Sequence, residues 1–296
     1  MAQFNTSHAT SLLWPGIVKT FGDEYSRYPM LHSKLFTVIK SDKAFEKIQE
    51  FVGTGLASVK SEGKPINYVN PEEGFQKEIV NVTYAIGSSV TFEMMQDEQY
   101  GKVNKIAGFL GKSVAMTQEA THAEVFNNGF TTELAADGQA VFSTAHQLVN
   151  GSTLANKPAT DVDFSQTALE NAIITMRGWT DGQGLPIMAK PKYVLTSEAE
   201  SFNVEVVLNT KYKTNSELND INPVTGIVDP LWWTWLTDED AWFLTSDQEG
   251  FYSLNRHKPE PKRENEFDTL SMKYIVFGRW GRGVADWRSA YGSSGG

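Results

Sequence analysis

The stretch that decides the fold is Ile66-Asn67-Tyr68-Val69-Asn70-Pro71-Glu72-Glu73-Gly74-Phe75-Gln76-Lys77-Glu78-Ile79-Val80-Asn81-Val82-Thr83-Tyr84-Ala85-Ile86. Two alternations of apolar and polar residues flank the turn-forming residues 70–74, one at Ile66 and Tyr68 and the other over residues 80–86. Apolar residues at every second position on both sides of a turn are typical of paired strands. We therefore predict a long β-hairpin within residues 55–92.

The distal part of this predicted hairpin is mostly polar. Its polar residues are Lys60, Ser61, Glu62, Gly63, Lys64, Glu72, Glu73, Gln76, Lys77 and Glu78. A two-stranded ribbon is only marginally stable in water, so a projecting one needs a neighbouring surface or stays mobile. This composition favours a hairpin that is used for assembly.

A long helix is predicted next, over residues 97–127. Its apolar stripe consists of Val103, Ile106, Leu110, Val114 and Val125, and charged residues, including Glu119, lie largely elsewhere. Asn127-Asn128-Gly129 supplies a stop, which gives a spine of roughly 45 Å at the usual rise per residue. Gly101, Gly108 and Gly111 would each cost about 1 kcal/mol relative to alanine unless another backbone packs closely there.

The remaining chain predicts a mixed α and β protein. The first fifty residues carry aromatic anchors without sustained periodicity, as expected of an arm that docks against a partner surface. A second unit begins near Asp163 and alternates helices with strands, and Leu270, Met272, Tyr274 and Val276 predict a late strand. We expect the α+β class.

Composition and charge exclude several classes of protein. The 296 residues are 40% hydrophobic and contain no cysteine, which removes disulfides, thiolate metal sites and cysteine nucleophiles. The N-terminus lacks the features of a signal peptide, so we expect the chain to stay where it is made. The net charge of −10, with no Lys or Arg over residues 214–255, disfavours binding of a phosphate backbone. Residues 279–288 combine arginines with tryptophans, as a platform that stacks single-stranded nucleic acid does, but we interpret them as a strand end and its loop.

No catalytic motif is complete. His122-Ala123-Glu124 matches half of a zinc-deaminase signature, whose second half needs cysteines. Asp137, Ser143 and His146 are the residue types of a hydrolase triad, but no nucleophile elbow accompanies them. We predict no catalytic, cofactor-binding or metal-binding residues, and no enzyme activity.

The tryptophans of the Trp232–Trp242 region support an alternative from another class. They stand beside Asp238-Glu239-Asp240, and aromatic platforms with paired carboxylates are what carbohydrate binding or glycan hydrolysis requires. Packing of the tryptophans in a core is the interpretation that we favour.

The order of these features resembles that of tailed-bacteriophage major capsid proteins of the Hong Kong 97 fold, and more specifically the Mu-like major head subunits. The wording is similar at several stretches: Thr83-Tyr84-Ala85-Ile86-Gly87, Asp97-Glu98-Gln99-Tyr100-Gly101, Ala123-Glu124-Val125-Phe126-Asn127-Asn128-Gly129-Phe130, Asp137-Gly138-Gln139 to His146, Pro191-Lys192-Tyr193-Val194-Leu195 and Asp286-Trp287-Arg288. The likeness covers most of the chain beyond about residue 50.

The resemblance implies five segments and a function. The segments are an N-terminal arm (1–54), an extended loop (55–92), a peripheral domain with the spine helix (93–160), an axial domain (161–255) and a return to the peripheral domain (256–296). The chain would self-assemble into hexamers and pentamers of an icosahedral head that encloses double-stranded DNA without sequence-specific binding, in the virion after assembly in the host cytoplasm. Portal and decoration proteins would be partners, whereas scaffolding would be separate, cleaved off or absent, and no membrane is involved.

The candidate functional residues are therefore contacts between subunits. They are Trp14, Tyr25, Tyr28, Lys60, Lys64, Tyr68, Glu72, Glu73, Phe75 and Lys77. A lysine of the extended loop forms a covalent link in some relatives, but no lysine of this chain is assigned that role. An encapsulin-like shell, which shares the fold but encloses a cargo enzyme, is the second alternative.

Overall fold

The computed structural model describes residues 6–91, 93, 100–212, 220–266 and 271–296. The first half of the chain contains α1 (Thr6–Arg27), α2 (His32–Leu35), β1 (Thr37–Lys40), β2 (Phe45–Val52), β3 (Glu72–Val80), β4 (Val82–Val90), α3 (Tyr100–Asn127), β5 (His146–Gln147) and β6 (Thr153–Leu154). The second half contains α4 (Gln166–Arg177), β7 (Pro191–Thr196), α5 (Ser201–Asn209), β8 (Asp229–Trp232), β9 (Trp242–Ser246), β10 (Phe251–Asn265), β11 (Met272–Val284), a 3₁₀ turn (Trp287–Ser289) and β12 (Ala290–Ser293). None of the helices in these ranges combines the length and the apolarity of a membrane span.

Two four-stranded sheets organise the chain. The first has the strand order β1-β10-β11-β4, and the second has the order β12-β9-β7-β8. Parallel pairs occur only where β1 joins β10 and where β7 joins β8, so both sheets are mixed. The predicted α+β class is confirmed, and the predicted late strand lies within β11.

The helix α3 is the predicted spine. It covers Tyr100–Asn127, 28 residues, which corresponds to about 42 Å. Leu110 and Val114 are buried among residues of α1, β4 and β11, whereas Val125 and Phe126 are buried in the larger core around the second sheet. The spine therefore passes through both hydrophobic clusters. Residues 97–99, the side chain of Val103 and residue Leu270 lie outside what the structure describes.

The predicted hairpin pairing is wrong. Strand β3 pairs with β2, which precedes the predicted hairpin, and β4 pairs with β11 of the first sheet. Residues 53–71, which include the strand predicted at Ile66 and Tyr68, contain no regular element and connect β2 to β3. Residues 80–86, which show the predicted alternation, thus run from the end of the β2–β3 ribbon through Asn81 into β4 of the first sheet.

The first fifty residues, whose sequence shows no sustained periodicity, contain the helix α1 (Thr6–Arg27). This helix packs along the spine through Ile17 and Phe21, which are buried against α3 and the first sheet. A Cβ atom at Gly111 would lie 2.7 Å from the carbonyl oxygen of Phe21. Glycine therefore lets the two helix backbones approach closely. This close packing is the circumstance in which we expected a glycine to be tolerated in the spine.

This close approach predicts opposite effects for two glycines of the same helix. Gly111→Ala forces the Cβ atom into the backbone of α1, so we expect it to lower the free energy of unfolding by about 1–3 kcal/mol. A Cβ atom at Gly101 meets no atom within 4 Å, so Gly101→Ala should raise that free energy by up to about 1 kcal/mol through helix propensity. Urea unfolding of the unassembled chain measures both, and equal effects of the two substitutions would contradict the packing.

Candidate functional site

The connection between β2 and β3, residues 53–71, is the most solvent-exposed part of the described chain. It includes residues 55–71 of the predicted segment 55–92, which lie outside the strands, and the name extended loop is used for residues 53–71 from here on. Every residue from Leu56 to Glu73 is exposed. The exposed set includes large apolar side chains, namely Leu56 at 83%, Val59 at 97%, Ile66 at 59%, Tyr68 at 88% and Val69 at 49%. A clustered set of exposed apolar side chains marks a surface that associates with something else.

The base of the extended loop is held by contacts within the chain. Val52, the last residue of β2, is 2% exposed, and its side chain lies against Gly182, where a Cβ atom would come within 2.8 Å. On the other strand, the Lys77 Nζ donates a hydrogen bond of 2.5 Å to the carbonyl oxygen of Leu134. The ribbon therefore has a defined direction from which the loop projects.

An ion pair ties the ribbon to the C-terminal end of the chain. The guanidinium of Arg288 contacts the carboxylate of Glu50 in β2 at 2.5 Å, and its Nε atom lies 3.4 Å from a carboxylate oxygen of Asp286. Arg288 is 6% exposed, so this pair is largely shielded from solvent. Burial raises the pKa of Asp286, although the nearby Arg288 charge acts in the opposite direction.

A second polar junction lies at the middle of the spine. Glu119 is 1% exposed, and its carboxylate accepts hydrogen bonds from the backbone N–H groups of Leu31 and His32 at 3.1 and 3.2 Å. The same carboxylate lies 2.5 Å from the His32 Nδ1 atom and accepts from the Trp233 Nε1 atom at 2.8 Å. One carboxylate thus joins the end of the N-terminal region, the spine and the segment after β8.

The His122 ring extends this junction towards β10. Its Nδ1 atom donates to the Gln118 carbonyl oxygen at 2.6 Å, and its Nε2 atom accepts from the Ser253 hydroxyl at 2.8 Å. The ring stacks on that of His32 with 4.4 Å between centroids. Burial, with the neighbouring His32 as a second cause, lowers the pKa of His122 to about 3.

The structure places the three predicted aromatic contacts of the N-terminal region against the same chain. Trp14 stacks on Tyr274 with 6.4 Å between ring centroids. The Tyr25 hydroxyl donates to Gln118 at 2.7 Å, and burial, assisted by Glu119, raises its pKa to about 12. The Tyr28 hydroxyl accepts from the Trp235 Nε1 atom at 3.2 Å. These side chains hold α1 and the residues after it to the body of the protein.

The other predicted contact residues share the extended loop and the ribbon. The exposed ones are Lys60, Lys64, Tyr68, Glu72 and Glu73, and Phe75 and Lys77 are half-buried. Lys60, Lys64 and Tyr68 therefore lie together on the extended loop. Lys77 instead contacts Leu134 of the same chain. Their contacts with another subunit stay a prediction.

Sequence reasoning missed Glu119, which it assigned to the polar side of the spine. The spacing along the helix could have indicated that Glu119 is buried. One helix face carries four residues, all of them buried in the structure: Ala115, Glu119, His122 and Phe126. A carboxylate on an apolar face predicts a buried partner, but the partner residues at positions 31, 32 and 233 could not be named from spacing alone.

Two alternative chemistries are not realised. His146 is buried and pairs with Asp137 at 2.7 Å and with Asn156 at 3.0 Å, while the Ser143 hydroxyl accepts from the backbone N–H of Ala145, so Asp137, Ser143 and His146 do not form a triad. The core packing that we favour is confirmed for Trp233 and Trp242, which are 1% and 0% exposed, so neither offers a platform for a sugar. Across the described ranges, no cluster of histidine and carboxylate side chains could hold a metal ion.

The environment of His122 predicts a dependence of stability on pH. Its pKa is about 3 in the folded chain against 6.5 for a free histidine, so the unfolded chain binds the extra proton between these values. The free energy of unfolding should therefore fall as the pH drops from about 6.5, by up to about 1.4 kcal/mol per pH unit from this group. Urea unfolding between about pH 7 and pH 5 should show a shallower decline for His122→Gln, and an unchanged slope would contradict the assignment.

Comparisons with solved structures confirm the fold. The chain is similar to the procapsid protein of bacteriophage JBD30, with a TM-score of 0.54 and 16% identity over 97% of this chain and 75% of that one. It is similar to the capsid protein of the cyanophage P-SCSP1u, with a TM-score of 0.59 and 11% identity over 90% and 88% of the two chains. A virus-like particle from Pyrococcus furiosus has a TM-score of 0.56 and 8% identity over 94% and 98%.

These likenesses confirm the predicted Hong Kong 97-like architecture, while the specific resemblance to Mu-like head subunits stays a prediction. No curated protein matches the chain. The model of the phage capsid protein family matches residues 76–293, which begin inside β3 and run through β12. The chain therefore belongs to the phage capsid protein family.

Proposed function

We propose that this capsid protein is the major subunit of a bacteriophage head, which self-assembles into the hexamers and pentamers of an icosahedral shell around double-stranded DNA. The observation that carries the proposal is the extended loop. It exposes large apolar side chains, yet its base is fixed by buried Val52 and by the Glu50–Arg288 pair. A rigidly directed loop with apolar side chains is suited to contacting a neighbouring subunit.

We assign the segments of the chain to roles in the shell. Residues 93–160, with the spine, and residues 256–296 would form the peripheral domain, and residues 161–255 would form the axial domain around the symmetry axes. Residues 1–54 and the extended loop would make contacts between subunits. In this arrangement Lys60, Lys64, Tyr68, Glu72 and Glu73 are available to a neighbour, because their side chains are exposed in the single chain.

The charge distribution suits a shell that encloses DNA without sequence-specific binding. The net charge is −10, which disfavours attachment to phosphates. Arg282 pairs with Glu124 and Glu133, and Arg288 pairs with Glu50, so the arginines of the aromatic C-terminal stretch are engaged within the chain. A stacking platform for single strands would need these cations and rings at the surface, but Trp280 and Trp287 are 2% and 3% exposed.

The protein would act structurally, without catalysis or a cofactor. Its partners would be further copies of itself, with scaffolding, portal and decoration proteins where the phage encodes them. Assembly would take place in the host cytoplasm and the product would be the virion capsid.

An encapsulin-like shell is the second candidate, because a virus-like particle from Pyrococcus furiosus shares the fold over 94% of this chain and the fold alone does not separate the two functions. The contents of particles purified from the native source distinguish the two. Nuclease-protected double-stranded DNA of one length supports the phage head, whereas a co-purifying cargo protein in place of DNA supports the encapsulin-like shell.

The proposed role of the extended loop predicts an assembly defect without a folding defect. Val59→Ser removes an apolar side chain that is 97% exposed, so the free energy of unfolding of the unassembled chain should stay within about 0.5 kcal/mol of the wild type. Sedimentation should show a lower fraction of subunits in shells than for the wild type. Assembly at the wild-type level would argue against the loop as a contact between subunits.

A further inference from the structure

Strand β4 forms an open edge of the first sheet. It pairs with β11 through nine consecutive residue pairs, from Val82↔Trp280 to Val90↔Met272, without a register shift. Among the described residues, no strand pairs with its other side. The nine residues contain no charge and no proline, and Val82 and Ile86 are 47% and 41% exposed. A long, regular, uncharged edge is a template for another strand.

The other sheet edges of the described chain are protected. Strand β1 has four residues and ends at Lys40, and β8 begins with Asp229 and Pro230. Strand β12 is buried along its whole length. Charged side chains line the β2–β3 ribbon, whose pairing shifts between Gln49 and Phe51. Short strands, proline, charge and bulges are the usual means of blocking an edge, so their absence from β4 singles it out.

The extended loop contains a strand-like segment, residues 66–70, that has no sheet to join within the described chain. Residues 66–70 have the alternation of a strand, and Pro65 and Pro71 delimit five consecutive residues that keep their N–H groups. No strand partner is present for this segment within the described chain. Ile66 and Tyr68 are 59% and 88% exposed. The sequence therefore encodes a strand that has no sheet in the isolated chain.

We propose that residues 66–70 of one subunit add as a fifth strand to the β4 edge of a second copy of this chain. The inference rests on the proposed function, because it needs subunits in contact. Backbone hydrogen bonds between the two uncharged strands would satisfy groups for which the described part of the chain offers no strand partner.

The side chains of the two strands match. In β4, Val82 and Ile86 lie on the same side of the sheet, since their positions differ by four. Ile66 and Tyr68 likewise share one side of the added strand, so a register that sets them on that side of the sheet places exposed apolar groups of the two strands next to one another. No charged residue lies in either strand, so the contact leaves no charge unpaired away from water.

Disulfide trapping tests this contact, because the chain has no cysteine of its own. Asn67→Cys is combined with Ala85→Cys in one variant and with Thr83→Cys in another, since residues 83 and 85 share the side of β4 opposite to Ile86. After oxidation of assembled shells, at least one pair should give a ladder of covalently linked subunits on a non-reducing gel. A ladder is expected because each subunit offers one loop and one edge.

Each single-cysteine variant is a control, as is Asn67→Cys with Ile174→Cys, whose second residue lies 68% exposed on α4. These controls should stay monomeric on the gel. Shells that form normally while both test pairs stay unlinked would overturn the strand addition and leave the proposed function standing. Failure of the wild-type chain to form shells would instead count against the proposed function.

Amide hydrogen exchange of the wild-type chain tests the contact without any substitution. The N–H groups of residues 66–70 should exchange at least about tenfold more slowly in shells than in dissociated subunits, because a strand ladder protects them. Equal rates in the two states would overturn the proposal.

Discussion

The buried carboxylate of Glu119 is the interaction on which the arrangement of the chain depends. A carboxylate at 1% exposure is tolerated only where hydrogen-bond donors replace water, and removing a partner of such a group usually costs several kcal/mol. The donors come from Leu31, His32 and Trp233, which are far apart in the sequence. Satisfying one group therefore fixes the N-terminal region and the tryptophan segment against the spine at the same time.

The spine transmits this constraint to both ends of the molecule. Its N-terminal half packs with α1 and the first sheet, and its C-terminal half packs in the core of the second sheet. The first sheet continues through Asn81 into the ribbon that carries the extended loop, and the Glu50–Arg288 pair fixes the ribbon from the other side. Within the described chain, the extended loop therefore projects from a body in which the spine joins the two hydrophobic clusters.

The elements that could be predicted from the sequence are those that depend on the pattern of neighbouring residues. The spine and the late strand follow from periodicity, and both are where periodicity places them. The hairpin pairing was wrong because alternation identifies a strand without identifying its partner, and β2, the partner of β3, has a weak alternation with charged residues. The helix α1 was missed because Pro15, Gly16 and Gly22 flank its apolar residues Ile17 and Phe21 and weaken the helical pattern.

The same reasoning explains which parts of the candidate site could be predicted. Exposed loop residues such as Lys60 and Tyr68 were identified from polarity and turn residues, which are local properties. The junctions at Glu119 and Arg288 join residues 88 and 238 positions apart, and no periodicity encodes such pairs. Trp233 was correctly expected in the core, although its hydrogen bond to Glu119 was not foreseen.

Electron microscopy with sedimentation of the purified wild-type chain tests whether it builds a shell. We expect closed particles of uniform diameter with icosahedral symmetry, in equilibrium with smaller oligomers. A species that stays strictly monomeric under every assembly condition would show that the chain is not a shell subunit.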